Sequence, residues 1–270
     1  MNNQLDVVAY ILAKNEEPNI EKCLRCLALC QIPVILLDSG STDATKEIAA
    51  RFSFCEVRDF KFTSHTDSWN LITGEWHRAS EYIMILDADM EVSPPLWQEM
   101  IGCLARKPDV VLAPVRMYLD GRPLRHGSLY PPKAILFRGG ATYFLPKGHC
   151  SRLRKGLKRI VTKELLIHND LKPYSEYLLS QVRYGNLLFR RFTTGEISFK
   201  DWLRATTPLM ALVFPVVSLF LRGGILAGRM GILYALDRAI AALIQYRVVL
   251  SSRMSEDCGR GGNEQERHTS

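Results

Sequence analysis

Tyr82-Ile83-Met84-Ile85-Leu86 runs directly into Asp87-Ala88-Asp89, and the reading of this stretch decides the fold. A short, bounded run of apolar, mostly aliphatic residues predicts a buried strand. Two carboxylates one residue apart, released at that strand's carboxyl end, are placed to hold a hard divalent cation through oxygen. Such a cation neutralises a substrate diphosphate. An isolated Asp-x-Asp is as readily a solvated loop that caps the next helix. Here residues 7–45 carry a second set of features with the same implication, and the pair reads as catalytic.

Upstream, Val7-Val8-Ala9-Tyr10-Ile11-Leu12 predicts the first strand. Ala13-Lys14-Asn15-Glu16-Glu17-Pro18 then marks a helix start, and the helix runs to about Leu29. Pro33-Val34-Ile35-Leu36-Leu37 predicts a second buried strand, ending at Asp38-Ser39-Gly40-Ser41-Thr42-Asp43. Gly40 relaxes the backbone, Ser41 or Thr42 is placed to cap the next helix, and Asp43 is expected in its first turn, where negative charge is favoured. Ser64-x-x-Asp67 is a capping box for a helix holding Trp69, Asn70 and Trp76. The alternation predicts an α/β fold, a mostly parallel sheet with helices on both faces. Ligands of such sheets bind beyond the carboxyl ends of the strands. Asn15/Glu16, Asp38 and Asp87/Asp89 all fall there, so three loops distant in sequence should meet in one crevice. No GxGxxG or Walker-type loop is present, which disfavours a nicotinamide-dinucleotide or P-loop enzyme.

At 270 residues and 47% hydrophobic, the chain can bury one large core, or one core and an appended module. Residues 1–130 hold 13 Lys/Arg against 18 Asp/Glu, and residues 131–270 hold 22 against 10. The acidic half suits a metal ion; the basic half suits phosphate, a lipid head group or an anionic membrane surface. With no DNA- or RNA-binding signature, nucleic acid is not expected as a partner. Cys23, Cys26 and Cys30 share a helix face, and no second CxxC completes a zinc site, so core packing is expected. The opening Met1–Asp6 is neither basic nor apolar, and the reading expects no signal peptide and a reducing, cytoplasmic location.

Ala13-Lys14-Asn15-Glu16-Glu17, Leu37-Asp38-Ser39-Gly40-Ser41-Thr42-Asp43 and Leu86-Asp87-Ala88-Asp89-Met90-Glu91 resemble the family 2 glycosyltransferases. The likeness is to bacterial members that extend lipopolysaccharide core or other cell-envelope glycans, and it covers about residues 5–250. It implies a GT-A (Rossmann-like) fold, a nucleotide-diphospho-sugar donor, a divalent metal (Mg2+ or Mn2+) and inversion at the anomeric carbon. By this resemblance Glu16 and Asp38, with Asn15, contact the donor's base and ribose. Asp87 touches the ribose or the metal, Asp89 ligates the metal, and Asn70 lies near the donor. The chain departs from the family where many members carry two acids in place of Asp38-Ser39. It departs again in His65-Thr66-Asp67-Ser68-Trp69, where basic or amide residues are usual. Departure of a nucleoside diphosphate leaves about two negative charges for a metal on the acid pair to stabilise, and the acceptor hydroxyl must lose a proton to a base.

Val110–Val115 resumes a strand, and Asp120-Gly121 is a strong turn signal. Arg125-His126-Gly127-Ser128-Leu129-Tyr130-Pro131 and Ala134-Ile135-Leu136-Phe137-Arg138 resemble family stretches on the acceptor side, which assigns Arg125, His126 and Tyr130 there. The alternative is a loop packed by Tyr130 and the prolines. The family's usual glutamate base is absent from Gly148-His149-Cys150, leaving His149 or Asp170 as the catalytic base. His126 or His168 could complete the metal shell, and spacing does not decide between them. The seven Lys/Arg between Lys147 and Lys163, with no acid among them, are either a solvated face or a grip for diphosphate or anionic lipid.

Tyr174–Phe192 fits an amphipathic helix. Leu209–Leu221 is a 13-residue stretch without a charge, short of the roughly 20 residues a spanning helix needs. Asp237, Arg238 and Arg247 make a free span of residues 230–250 costly. The expectation is a monotopic helical module edged by Arg204, Arg222 and Arg229, peripheral to the inner face of the plasma membrane. A helical core or dimer interface is the alternative. The organisation read from sequence is a GT-A domain over 1–170, a helical module over 171–250 and a flexible tail over 251–270. Within the GT-A domain, residues 1–105 take the nucleotide sugar and residues 106–170 the acceptor. The leading function is sugar transfer to a lipid-linked or envelope glycan. Polyprenyl-phosphate glycosylation and a catalytically silent membrane scaffold are the competitors.

Overall fold

The computed structural model of the chain describes residues 7–76, 80–141, 143–147, 150–195 and 197–267. The chain divides into two compact units, Met1–Leu124 with Tyr130–Lys172, and Arg125–Leu129 with Pro173–Ser270.

The first unit opens with β1 (Val7–Ala13), α1 (Glu17–Leu29), β2 (Val34–Asp38), α2 (Thr45–Ala50), β3 (Cys55–Asp59), α3 (His65–Gly74) and β4 (Tyr82–Asp87). It continues with β5 (Met90–Glu91), α4 (Pro94–Leu104), β6 (Val110–Ala113), β7 (Val115–Leu119), β8 (Arg122–Pro123) and β9 (Lys133–Arg138). The hairpin of β10 (Phe144–Lys147) and β11 (Cys150–Leu153), then β12 (Arg159–Val161) and β13 (Leu166–His168), complete it. Seven strands form the main sheet in the order β12-β6-β9-β4-β1-β2-β3. All neighbours run parallel except at β9, which is antiparallel to both β4 and β6. This is the mostly parallel α/β sheet that the strand–helix alternation predicts.

Side-chain alternation explains why both faces are covered. Ala9, Ile11, Leu36, Met84 and Leu86 pack with Ile20, Leu24 and Leu27 of α1 and Leu96 and Met100 of α4. Tyr10, Ile35, Leu37, Ile83 and Ile85 pack with Trp69 and Ile72 of α3 on the other face. Strands buried on both sides read as continuous apolar runs, which is how β2 and β4 stand in the sequence. Cys23 and Cys30 are buried in the first of these cores. A smaller sheet, β5-β13-β7-β8, ends in the hairpin that Asp120-Gly121 announces. Leu119 pairs with Arg122 across that two-residue loop. Asp120 and Gly121 have φ of 48° and 72°, as the twist-matched hairpin turn requires.

Local expectations differ at two helix ends. Ala44, not Ser41 or Thr42, is the N-cap residue of α2 and gives no side-chain cap. Asp43 lies just before that helix and accepts from the Thr45 N–H at 3.1 Å. The Ser64 cap of α3 forms as read, accepting from the Asp67 N–H, while Trp76 lies past the helix end.

The second unit contains α5 (Tyr174–Thr193), α6 (Phe199–Thr206), α7 (Met210–Val216) and α8 (Arg229–Arg267). A π-turn over Val217–Leu221 prolongs α7 beyond Pro215, and a 3-10 turn spans Gly224–Ala227. α5 lies close along α8, where a side chain at Gly185 would meet Val248 Cβ at 2.8 Å. Gln181 and Gln245 join the two helices by a buried 3.0 Å hydrogen bond. Segment 125–129 is held within this unit: the Gly127 N–H donates to Arg222 O, Ser218 Oγ donates to Gly127 O, and the Leu129 N–H donates to Tyr234 Oη. The flexible tail expected over 251–270 is corrected for most of its length, since α8 continues through Arg267. Each residue added to an existing helix gains a backbone bond without a new nucleation cost, so a polar segment can extend one that apolar packing has started.

Candidate active site

β1 ends between the two strands that carry the acids. In its register Ala13 faces Asp38 of β2 and Leu12 faces Asp87 of β4, so three strand ends lie side by side. The loops beyond β1 and β2 are laced together. The Asn15 side chain accepts from the Thr42 N–H, and the Asn15 N–H donates to Ser41 Oγ, both at 2.9 Å. The Glu16 N–H donates to Thr45 Oγ1 at 2.8 Å, and the Glu17 N–H donates to Asp43 Oδ2 at 3.1 Å. Asn15 takes a left-handed φ of 54°, which its short amide tolerates better than most side chains. Asp38 is buried; its Oδ2 accepts from the N–H groups of Gly40 and Ser41 at 3.0 Å each. The other oxygen, Oδ1, is buried without a partner.

The acid pair is met by two residues from elsewhere in the chain. Lys133, at the start of β9, forms an ion pair with Asp87 Oδ2. His168, at the end of β13, places Nε2 2.9 Å from Asp89 Oδ2. Tyr130 lies over the His168 ring at a centroid distance of 5.5 Å. Burial pushes the Asp87 carboxyl up, but the Lys133 ammonium, with His65 and His168, outweighs it and holds Asp87 below the usual carboxylate range. Burial pushes His168 down, but its hydrogen bond and charge contact with Asp89 outweigh that and leave it raised. Asp89 Oδ1 and His168 Nδ1 are both buried without partners.

A strut closes the crevice on another side. Asn19, buried on α1, donates to Glu16 Oε2 and to Asp170 Oδ1 at 2.9 Å each, and accepts from the Leu171 N–H at 2.8 Å. Lys172 Nζ donates to Glu16 Oε1 at 2.6 Å. Burial raises the Glu16 carboxyl despite this ammonium and amide.

The structure therefore brings together Asn15, Glu16, Asp38, Asp87, Asp89, Tyr130 and Asp170. It adds Lys133, His168 and Lys172. Asn70 is a correction: its Oδ1 accepts from the N–H groups of Tyr143 and Phe144, and its Nδ2 donates to Phe144 O. An amide used at both ends to pin the backbone of 143–144 to α3 has no polar face left for a donor. Arg125 and His126 belong to the helical unit, and Tyr130 to the first. His149 lies outside the described residues. Lys133 and Lys172 were missed because each is a lone cation with no motif. The available signal for Lys133 was its place as the one charge heading the apolar run Ala134–Phe137.

No group of three His, Cys, Asp or Glu residues among the described ones converges as a metal cage. Magnesium-type sites ordinarily use one or two carboxylates plus substrate phosphates. Asp89, with an orphaned buried oxygen, and Asp87 provide that oxygen donor set, so the residues present fit such an ion. An acidic pair, two buried cationic partners and a helix-laced loop at the ends of a parallel sheet define a GT-A type transferase that uses a nucleotide-activated sugar. The model of Glycosyl transferase family 2 matches residues 9–166. The chain belongs to that family and is a glycosyltransferase.

Among solved structures, the chain is similar to S. aureus TarS 1-349 at 13% identity and a TM-score of 0.47, over 92% of this chain and 91% of that one. The UDP-GlcNAc complex of TarS 1-349 matches at 14% identity and a TM-score of 0.41, over 92% of each chain. The bifunctional IspDF from Campylobacter jejuni matches at 13% identity and a TM-score of 0.36, over 59% of this chain and 50% of that one.

Proposed function

We propose that the protein is an inverting, divalent-metal-dependent glycosyltransferase that moves a sugar from a nucleoside-diphospho-sugar to a membrane-proximal glycan or glycolipid acceptor of the lipopolysaccharide-core kind, working from the cytoplasmic face. The observation that carries the reading is the buried, partnerless oxygen of Asp89 at the end of β4, one residue from an Asp87 already paired with Lys133. Asp89 and Asp87 would hold a Mg2+ or Mn2+ ion, which supplies positive charge to the diphosphate as it leaves. Lys133, seated on Asp87, adds a second positive charge on the side where the leaving group develops its own. His168 orients the Asp89 carboxylate from behind, as outer partners of metal-binding residues do. The orphaned Oδ1 of Asp38 is an acceptor for a ribose hydroxyl of the donor.

Among the described residues, the base that takes the acceptor proton is assigned to Asp170. It is exposed, and its Oδ1 is fixed by Asn19 and by the Lys172 N–H at 3.1 Å. His149 is the alternative base. The test is transfer from a panel of nucleotide sugars to deacylated lipopolysaccharide core, with and without Mn2+ or Mg2+. Asp89→Ala should lower kcat by about 10²–10³ or more while the far-UV spectrum is retained. Full activity in that variant eliminates the metal role. Activity that survives loss of both Asp170 and His149 points to a polyprenyl-phosphate acceptor, which needs little base.

A further inference from the structure

We propose that the face built by α6, α7 and α8 docks on an anionic lipid bilayer and inserts its apolar side chains into one leaflet. Thirteen large apolar side chains between Phe199 and Leu243 are each at least 43% exposed. The largest apolar patch on a typical monomer covers about 300–600 Å², and side chains of this size and exposure exceed that together.

They are arranged as stripes. On α7 and its π-turn, Leu209, Leu212, Val216 and Phe220 recur at helical spacing, with Leu212 and Phe220 70% and 64% exposed. On α8, Ile232, Leu236 and Leu243 share one side and are exposed. The two stripes are contiguous: a groove of about 510 Å³ runs between Leu209 and Leu212 of α7 and Ala239 and Leu243 of α8. Phe199 and Trp202 stack at the start of α6, with centroids 6.0 Å apart, and Leu226 of the 3-10 turn is 77% exposed.

Charge selects the occupant. Residues 197–255 contain seven Lys/Arg and two Asp/Glu, and both acids are engaged. Asp201 accepts from Ser198 Oγ at 2.8 Å and pairs with Arg191 and Arg204, and Asp237 accepts from Tyr174 Oη at 2.9 Å. Lys200, Arg222 and Arg229 remain exposed beside the apolar stripes. Cations beside an acid-free apolar face suit an anionic leaflet. A second copy of the face would set the same cations against one another.

The depth is one leaflet. Among the described residues no single helix is long and apolar enough to cross a membrane, whereas Phe199–Thr206 and Met210–Leu221, bent by 119°, reach that length and composition only together. A pair bent this sharply enters and returns rather than spans. The proposal is independent of sugar transfer, since an inactive chain would dock in the same way.

The experiment is co-sedimentation of the full chain with phosphatidylcholine vesicles, with or without roughly 30% phosphatidylglycerol. Binding is expected only to the anionic vesicles and should fall in about 0.5 M salt. Arg222→Gln with Arg229→Gln should weaken it by roughly 30-fold, and Leu212→Glu or Leu226→Glu should abolish it with the helical spectrum intact. One measurement needs no disruptive variant: brominated lipids should quench the intrinsic fluorescence, and Trp202→Phe should remove most of that quenching. A protein that stays in the supernatant with both vesicle types overturns the proposal. So does a stable dimer that Leu212→Glu splits, which would assign the face to a second copy.

Discussion

Lys133 faces Asp87 as its ion-pair partner, and a donor diphosphate would bring it further negative charge. Lys133→Met should weaken binding of a nucleoside diphosphate by about 10–100-fold while leaving the free nucleoside unaffected, measured by calorimetry on the two ligands. Asn70→Ala makes the opposite pattern. Three hydrogen bonds to the backbone of 143–144 are lost, so stability should fall by about 1–3 kcal/mol in denaturant titration with donor affinity unchanged. The difference between these residues also explains what was legible. Asp38, Asp87 and Asp89 terminate apolar runs in sequence, so their meeting follows from the rule that parallel strands open at one edge. Lys133 begins its strand. It reaches the same edge only because β9 runs antiparallel, and no local pattern states a strand's direction. Asn70 illustrates the reverse error: a residue matched to a family position is spent on the chain's own backbone.

Glycines separate turn demands from packing demands at the level of whole elements. At Gly121 a Cβ would meet no atom within 4 Å, and only the φ of 72° opposes it. Gly121→Ala should therefore cost about 1 kcal/mol of stability, seen as a small drop in Tm. At Gly231, near the start of α8, a Cβ would fall 1.8 Å from Gly224 O. No rotamer relieves a clash with backbone, so Gly231→Ala should displace the 3-10 turn and destabilise the helical unit by several times more. Circular dichroism melts of the two variants side by side check the order. Apolar periodicity exposed the existence of α5 and α8, and the Asp-Gly pair exposed the β7–β8 hairpin. The end of α8 was hidden. Composition over 251–267 says only that the segment buries little, whereas helix continuation depends on the packed turns that precede it.

On the scale of the whole molecule, the acidic and basic halves of the sequence separate a site of carboxylates from a module rich in arginine. Within the helical unit Asp201 links these charges to pH. Burial pushes its carboxyl up, but Ser198, Arg204 and Arg191 outweigh that and leave it lowered. Its folded pKa lies below its unfolded one, so its contribution is complete above the unfolded value and is lost as pH falls through the folded value. Asp201→Asn should lower stability at neutral pH and flatten the acid limb of helical-unit unfolding, followed by Trp202 fluorescence. The strut from Asn19 to Asp170 and from Glu16 to Lys172 has a consequence for the order of events at the ribosome. The opening helix cannot lock its first turn until the chain has grown beyond position 172. A nascent product halted at position 166, where the family match stops, would emerge with its first loop untethered and should not retain a nucleotide sugar.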